Sequence, residues 1–421
     1  MGKINLLLKL ILEKRYLTVL DLVKNKVYSL IYFRKYYCNI FFRKHILGIL
    51  RKPDQKFILI IDNNIGIGGG SKKYMDQFIH NNRHQDEILV RVYYDTRDKL
   101  YYLETIINKN KKYCLNINSL DFLHQSFNFS MISKIFVNQI ISFPKPYEVF
   151  TFINNMKSMY QTKIELAVHD YYILCPSHNL INDKGVFCNI PEDLSRCNSC
   201  LNNPFHKASV FLGEKNIQIW RREWSSLIET TDRILLFSQS SKDLFLKTYP
   251  LVNKSKLKVV PHQLNKSLKV SYLGYKDKNY SNENIVIGVL GNITYIKGAD
   301  IIKNMLEIIE ATKLNIKIVI IGEYDSSYRH PSLKVTGRYM EKELFSLVKK
   351  NDIDIFFVSS ICPETFSYTT EEILTMKYPV VCFNIGAPAE RIRAYSDSYI
   401  IDVMDANAVL SATNLLYKGK K

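Results

Sequence analysis

No run of about 18 uninterrupted apolar residues occurs in this chain, so no helix that crosses a bilayer is expected. The amino terminus has no short apolar core followed by a small-residue cleavage site, so no secretory leader is expected either. The expected compartment is therefore the cytosol, where the eight cysteines do not read as a disulfide framework. A Gly-x-Gly-x-x-Gly run with an acidic residue about twenty positions on is also missing, which excludes the usual dinucleotide-binding fingerprint. Acidic residues are outnumbered, 40 Asp and Glu against 58 Lys and Arg, leaving a formal net charge of +18. In other respects the 421 residues are ordinary for a globular protein of two or three domains, with 47% hydrophobic and 23% charged side chains.

Much of the positive charge sits at one end. Residues 1–52 carry twelve Lys or Arg against only Glu13 and Asp21, a net of +10. They interleave with Leu6, Leu7, Leu8, Leu10, Ile11, Leu12, Tyr28, Leu30, Ile31, Tyr32, Phe33, Phe41 and Phe42. That is the composition of basic amphipathic helices lying on an anionic membrane surface. It equally suits a helical appendage packed on the next domain with a solvated basic face. Nucleic-acid binding is the third reading and is not expected, because no nucleic-acid motif organises the charge.

From residue 55 onward, apolar runs alternate with helix-like stretches in two rounds. The first has strand candidates at Phe57 to Asp62, Glu87 to Tyr94, Lys134 to Ile140, Ile164 to His169, Ile234 to Ser238 and Leu257 to Pro261. A polar, lysine-rich stretch from Asn265 to Asn284 reads as a linker. The second round has candidates at Ile285 to Gly291, Ile316 to Gly322, Ile353 to Val358, Pro379 to Phe383 and Tyr399 to Val403. The pattern predicts an α/β protein with two doubly wound domains facing a cleft: residues 1–54 as a basic helical extension, 55–270 as the first domain and 271–421 as the second. Clefts of this kind are the usual home of small ligands.

Four motifs carry chemistry. The segment from Cys362 to Glu372 places Glu364 just beyond an apolar strand and Glu372 on the following helix. The two are too far apart to share a proton and read as separate anchors for hydroxyl groups, although an acid near a helix start also favours the helix dipole. Later come Pro379-Val380-Val381 and the run from Gly386 to Arg391; upstream lies the run from Gly288 to Asp300, containing Gly291, Asn292, Lys297 and Gly298. Together these resemble the retaining glycosyltransferases of family 4, with their GT-B fold, Glu-x7-Glu signature and Gly…Lys-Gly motif, and especially members that build bacterial surface polysaccharides. The resemblance covers about residues 57 to 404. It implies transfer of a sugar from a nucleotide sugar to a growing polysaccharide or lipid-linked glycan, with no catalytic metal and no enzymic nucleophile.

The same resemblance implies roles for individual residues. Lys297 would neutralise the departing diphosphate, Glu364 would lie near the transferred sugar, and Glu372 would bind the ribose hydroxyls. Backbone N–H groups at Thr365, Phe366 and Ser367 would face sugar hydroxyls or phosphate. Many members have an arginine where this chain has Asn292, and Arg338 could substitute for it. The glycine loop from Gly66 to Gly70, with Gly68 and Gly69 at its centre, would lie against the donor's sugar and diphosphate. His169, in His169-Asp170-Tyr171-Tyr172, would orient the acceptor hydroxyl or contact the donor sugar; His262 is a further residue for the cleft. The chain stops soon after one last helix-like stretch, leaving little for a helix that crosses back onto the first domain.

Cys175, Cys188, Cys197 and Cys200 form a separate pattern, C-x12-C-x8-C-x2-C, within a polar insertion at about 175–200. Four thiols with a terminal C-x2-C suit a tetrahedral structural zinc, which would order that loop. Redox chemistry and free thiols are the other readings. A non-catalytic glycan- or nucleotide-binding relative, or a zinc-containing nucleic-acid-binding protein, are the alternatives for the whole chain.

Overall fold

The computed structural model describes residues 40–63, 70–82, 87–96, 99–107, 111–117, 119–126, 128–204, 206, 214–264, 284–325 and 327–419. They fall into two compact units, one within Ile31–His262 and the other within Gln263–Lys421. The glycines Gly68 and Gly69, most of the basic stretch (1–39) and most of the linker (265–283) lie outside the described residues.

The amino-terminal unit is built on eight strands: β1 (Phe57–Asn63), β2 (Ile88–Asp95), β3 (Leu100–Ile107), β4 (Lys111–Ile117), β5 (Ile132–Val137), β6 (Lys163–Ala167), β7 (Arg233–Leu236) and β8 (Leu257–Val259). Their order across the sheet is β4-β3-β2-β1-β5-β6-β7-β8. β1, β2 and β5 to β8 pair in parallel and match the apolar runs, because a parallel sheet covered on both faces demands apolar side chains on both. β3 and β4 add an antiparallel edge that the sequence reading did not anticipate. Their connection, Asn108-Lys109-Asn110, contains neither glycine nor proline to mark a hairpin. One face of the sheet is covered by the helices Pro146–Tyr160 and Ile217–Thr230, which meet through Phe150 and Trp224 with ring centroids 4.6 Å apart. The helix Ile40–Leu50 buries Ile46 and Leu50 in the same core, so the end of the basic stretch is part of this unit.

The carboxyl-terminal unit has six strands: β9 (Ile285–Ile293), β10 (Ile316–Tyr324), β11 (Leu333–Val335), β12 (Ile355–Val358), β13 (Val380–Phe383) and β14 (Ser398–Ile401). All are parallel, in the order β11-β10-β9-β12-β13-β14. The last helix, Ala406–Lys418, packs on the helix Ala299–Thr312 of the same unit and buries Val409, Leu410 and Tyr417.

Both sheets are doubly wound about a central strand. In the first, β1 lies between β2 and β5; in the second, β9 lies between β10 and β12. At these two places successive connections leave in opposite directions, and such switch points are where α/β sheets bind ligands, beyond the carboxyl ends of the strands.

Candidate functional site

In the carboxyl-terminal unit the switch point is built by two loops that hold each other. After β9 the chain makes one tight turn, Tyr295–Lys297, and enters the helix Ala299–Thr312 through Gly298. Gly298 has φ +82°, and a Cβ there would lie 2.1 Å from the Ser359 carbonyl oxygen, so only glycine fits. Ser359, just past β12, donates its hydroxyl to the Lys297 carbonyl at 2.6 Å. Ile361 N–H donates to the Ile296 carbonyl at 3.1 Å. These bonds place Lys297 Nζ 2.5 Å from Glu364 Oε2. The other Glu364 oxygen accepts from the Ser360 hydroxyl, and the Glu364 carbonyl accepts from Ala387 N–H at 2.9 Å. Gly386 (φ +62°) packs directly on this backbone, where a Cβ would meet Glu364 N at 2.7 Å.

Lys297 and Glu364, drawn from motifs 67 positions apart, therefore form one ion pair. The lysine side chain is 35% exposed and the glutamate 12%. Burial works against the charged lysine, but the Glu364 carboxylate outweighs it and the Lys297 pKa moves upward. A cation held in this way can meet a second anion without reorganising. Ser359 and Ser360, which fix both partners, were missed in the sequence; two serines closing an apolar strand were the only signal.

The helix carrying Glu372 runs from Tyr368 to Met376 and is capped by Ser367, whose Oγ accepts from Thr370 N–H at 3.4 Å. Thr365, Phe366 and Ser367 thus precede the helix rather than form its first turn. Glu372 is 3% exposed, on the inward face with Ile373 and Met376. Its neighbour Glu371 instead pairs with Arg391, tying this helix to the helix Gly386–Ile392. Asn292 is exposed at the end of β9, in register with Glu323 of β10, and Glu323 Oε2 lies 2.8 Å from Arg338 Nε. Asn292 and Arg338 are brought to the same edge by Glu323, a residue absent from the sequence-based expectation.

In the amino-terminal unit the switch point carries two parallel rungs of polar side chains. Asp62 and Asn63 end β1, Asn138 and Gln139 follow β5, and His169 and Asp170 follow β6. In the first rung Asn138 Nδ2 donates to Asp62 Oδ1 at 2.7 Å, and Asn138 Oδ1 lies 2.7 Å from His169 Nε2. In the second, Asn63 Nδ2 donates to Gln139 Oε1 at 2.6 Å, and Gln139 Nε2 donates to Asp170. Asp170 also accepts from Tyr172 N–H at 2.9 Å, starting the turn Tyr171–Ile173. The first rung continues into the edge of the sheet. Asp62 Oδ2 accepts from Arg91 Nε at 2.8 Å, and Arg91 reaches Glu104 Oε2 at 3.3 Å, directly opposite in the β2–β3 register. His169 packs between aromatic rings, with Phe237 at 4.7 Å, Tyr74 at 5.0 Å and His262 at 5.4 Å between centroids. Burial, with a smaller contribution from His262, holds the His169 pKa well below its usual value, so the ring is neutral.

The four cysteines of the insertion lie close enough to influence one another electrostatically. Among the described residues, no group of three or more His, Cys, Asp or Glu side chains is placed to hold a metal ion. Cys175, Cys188 and Cys197 pack against the hydrophobic core, while Cys200 turns to His206, Sγ to Nε2 3.4 Å. Burial raises all four thiol pKa values, that of Cys200 to about 11. The insertion also carries hydrogen-bonded polar turns. Ser177 Oγ donates to the Ile181 carbonyl at 3.0 Å, Asn182 Oδ1 accepts from Lys184 and Val186 N–H at 3.0 and 3.1 Å, and Asn203 Nδ2 donates to Asp183 at 2.8 Å.

No curated protein sequence matches this chain. Several solved structures share its fold at low identity. HepE of Anabaena, in complex with UDP, is 12% identical with a TM-score of 0.54, covering 87% of this chain and 91% of its own. The lipopolysaccharide outer core galactosyltransferase WaaB is 12% identical with a TM-score of 0.54, covering 86% and 91%. A glycosyltransferase of Rickettsia africae is 13% identical with a TM-score of 0.53, covering 87% and 89%. The two Rossmann-like sheets are thus those of the GT-B glycosyltransferase fold, and residues 275–421 match the family model of glycosyl transferases group 1.

Proposed function

We propose that this protein is a retaining glycosyltransferase of family 4 that moves a sugar from a nucleotide-sugar donor to a growing polysaccharide or lipid-linked glycan. The observation that carries this reading is the Lys297–Glu364 pair at the switch point of the unit that matches glycosyl transferases group 1. As the donor's glycosidic bond breaks, negative charge develops on the diphosphate, and Lys297 stabilises it from a fixed position. Glu364 both holds Lys297 and accepts from hydroxyls of the transferred sugar. Glu372 binds the ribose hydroxyls. The backbone N–H groups of Thr365, Phe366 and Ser367 meet sugar or phosphate oxygens, and Arg338 supplies the second phosphate contact that Asn292, being neutral, does not. In the amino-terminal unit, His169 orients the acceptor hydroxyl. Retention follows from attack on the same face from which the diphosphate departs. The basic residues 1–52 would keep the enzyme on the inner face of an anionic membrane, near a lipid-linked acceptor.

HepE has been solved with UDP and with UDP-glucose, which makes UDP the first nucleotide to try. Thermal stabilisation by UDP, GDP, dTDP and CMP, compared between wild type and Glu372→Ala, tests the donor site. A shift with one nucleotide that the variant loses is expected. Stabilisation by none of the four would favour a non-catalytic relative instead.

A further inference from the structure

The first polar rung of the amino-terminal unit is more than a structural tie, because its chemistry has a direction. Asp62 is 2% exposed and is paired with Arg91, so its carboxylate offers only acceptors. Asn138, 1% exposed, must then turn its amide NH2 to Asp62 and its carbonyl oxygen to His169. A carbonyl oxygen requires a donor in turn, so the proton of the neutral imidazole belongs on Nε2. The second rung holds the next residue, Asp170, through Gln139, which prevents the loop from rotating His169 away.

We infer that Asp62 and Asn138 are positioning residues for His169: the chain Arg91–Asp62–Asn138–His169 fixes the imidazole in its Nε2–H tautomer and leaves Nδ1 as the accepting nitrogen. The neutral amide has a second effect. It passes on the orientation imposed by Asp62 while keeping that carboxylate one side chain away from the ring, so the imidazole is aligned without being charged. Among the described residues, the titratable groups whose rings pack against the imidazole are Tyr74 from the helix Gly70–Asn82 and His262 beyond β8, and Phe237 beyond β7 adds an aromatic face. In a transfer reaction, Nδ1 would accept from a sugar hydroxyl; that use rests on the reading of His169 as a substrate contact, whereas the relay itself does not.

The test is nitrogen-15 NMR of the full chain labelled at histidine, with His169 assigned by its loss in His169→Gln. In wild type the expected result is a neutral ring, protonated at Nε2, from pH 8 to pH 5.5. Asn138→Asp puts a carboxylate at hydrogen-bond distance and should raise the His169 pKa by at least about one unit above wild type. Asp62→Asn removes the obligatory acceptor, and the single tautomer should give way to a mixture. An Nδ1–H tautomer in wild type, or a His169 that titrates like an exposed histidine, overturns the inference. So does an unchanged ring in both variants while their circular dichroism stays native. Should neither variant fold, the wild-type spectrum alone decides. No substrate enters these measurements. A confirmed relay in a protein that binds no nucleotide would defeat the transferase reading alone, and transfer activity with an unlinked His169 would defeat only the relay.

Discussion

At position 297 a lysine marked in the sequence by its place in a Gly…Lys-Gly run is held by a carboxylate 67 residues away, and that contact fixes its position. Lys297→Ala should lower the transfer rate by about 10²–10³-fold, the usual cost of removing one fixed stabilising group from a developing charge. Its melting temperature should stay near wild type, since the side chain is a third exposed. Turnover within threefold of wild type would remove the role. His262 makes a different prediction. Burial holds its pKa at about 3 against an ordinary value of 6.5. A histidine kept neutral in the fold but free to charge when unfolded contributes stability above about pH 6.5, and that contribution is lost as pH falls toward the folded value. Melting temperature should therefore fall less steeply between pH 6.5 and pH 4 in His262→Phe than in wild type. Equal slopes would place His262 in a wetter setting than its burial implies.

Among the elements, β2 and β3 carry charges where a sheet interior normally carries none. Arg91 and Glu104 are 1% and 2% exposed, and Asp62 completes the buried group. Arg91→Leu leaves two carboxylates without their cation and should destabilise the amino-terminal unit by about 3–5 kcal/mol in urea unfolding. A loss under about 1 kcal/mol would mean that water or another cation reaches them. Gly298 makes the corresponding case between β9 and its helix. Gly298→Ala combines a left-handed backbone with a clash against the Ser359 carbonyl, and about 1–3 kcal/mol of destabilisation is expected from the strained backbone alone. Because the clash moves the loop that carries Glu364, nucleotide-dependent stabilisation should weaken as well. The parallel strands were legible because covering both faces of a sheet makes each strand a continuous apolar run. The antiparallel edge of β3 and β4 was not, since Tyr101 and Glu104 become buried only where β3 lies between β2 and β4.

For the molecule as a whole, no helix among the described residues is long and apolar enough to cross a membrane. The +10 of residues 1–52 makes surface attachment testable. The full chain should cosediment with phosphatidylserine vesicles, lose that binding as salt rises, and lose most of it when residues 1–39 are removed, each basic residue near the surface contributing about 1 kcal/mol. That truncation spares the helix Ile40–Leu50, whose Ile46 and Leu50 belong to the core. Vesicle binding unaltered by the truncation would move the contact elsewhere. The sequence by itself determined two rounds of strand and helix and marked Lys297, Glu364 and Glu372 as candidates, because apolar periodicity and local motif spacing are written along the chain. Tertiary structure alone decided which of these residues meet. The Lys297–Glu364 pair, the chain from Glu104 to His169, and the gathering of the four cysteines with the hydrogen-bonded turns of their insertion all depend on how distant segments pack. No local pattern encodes that packing.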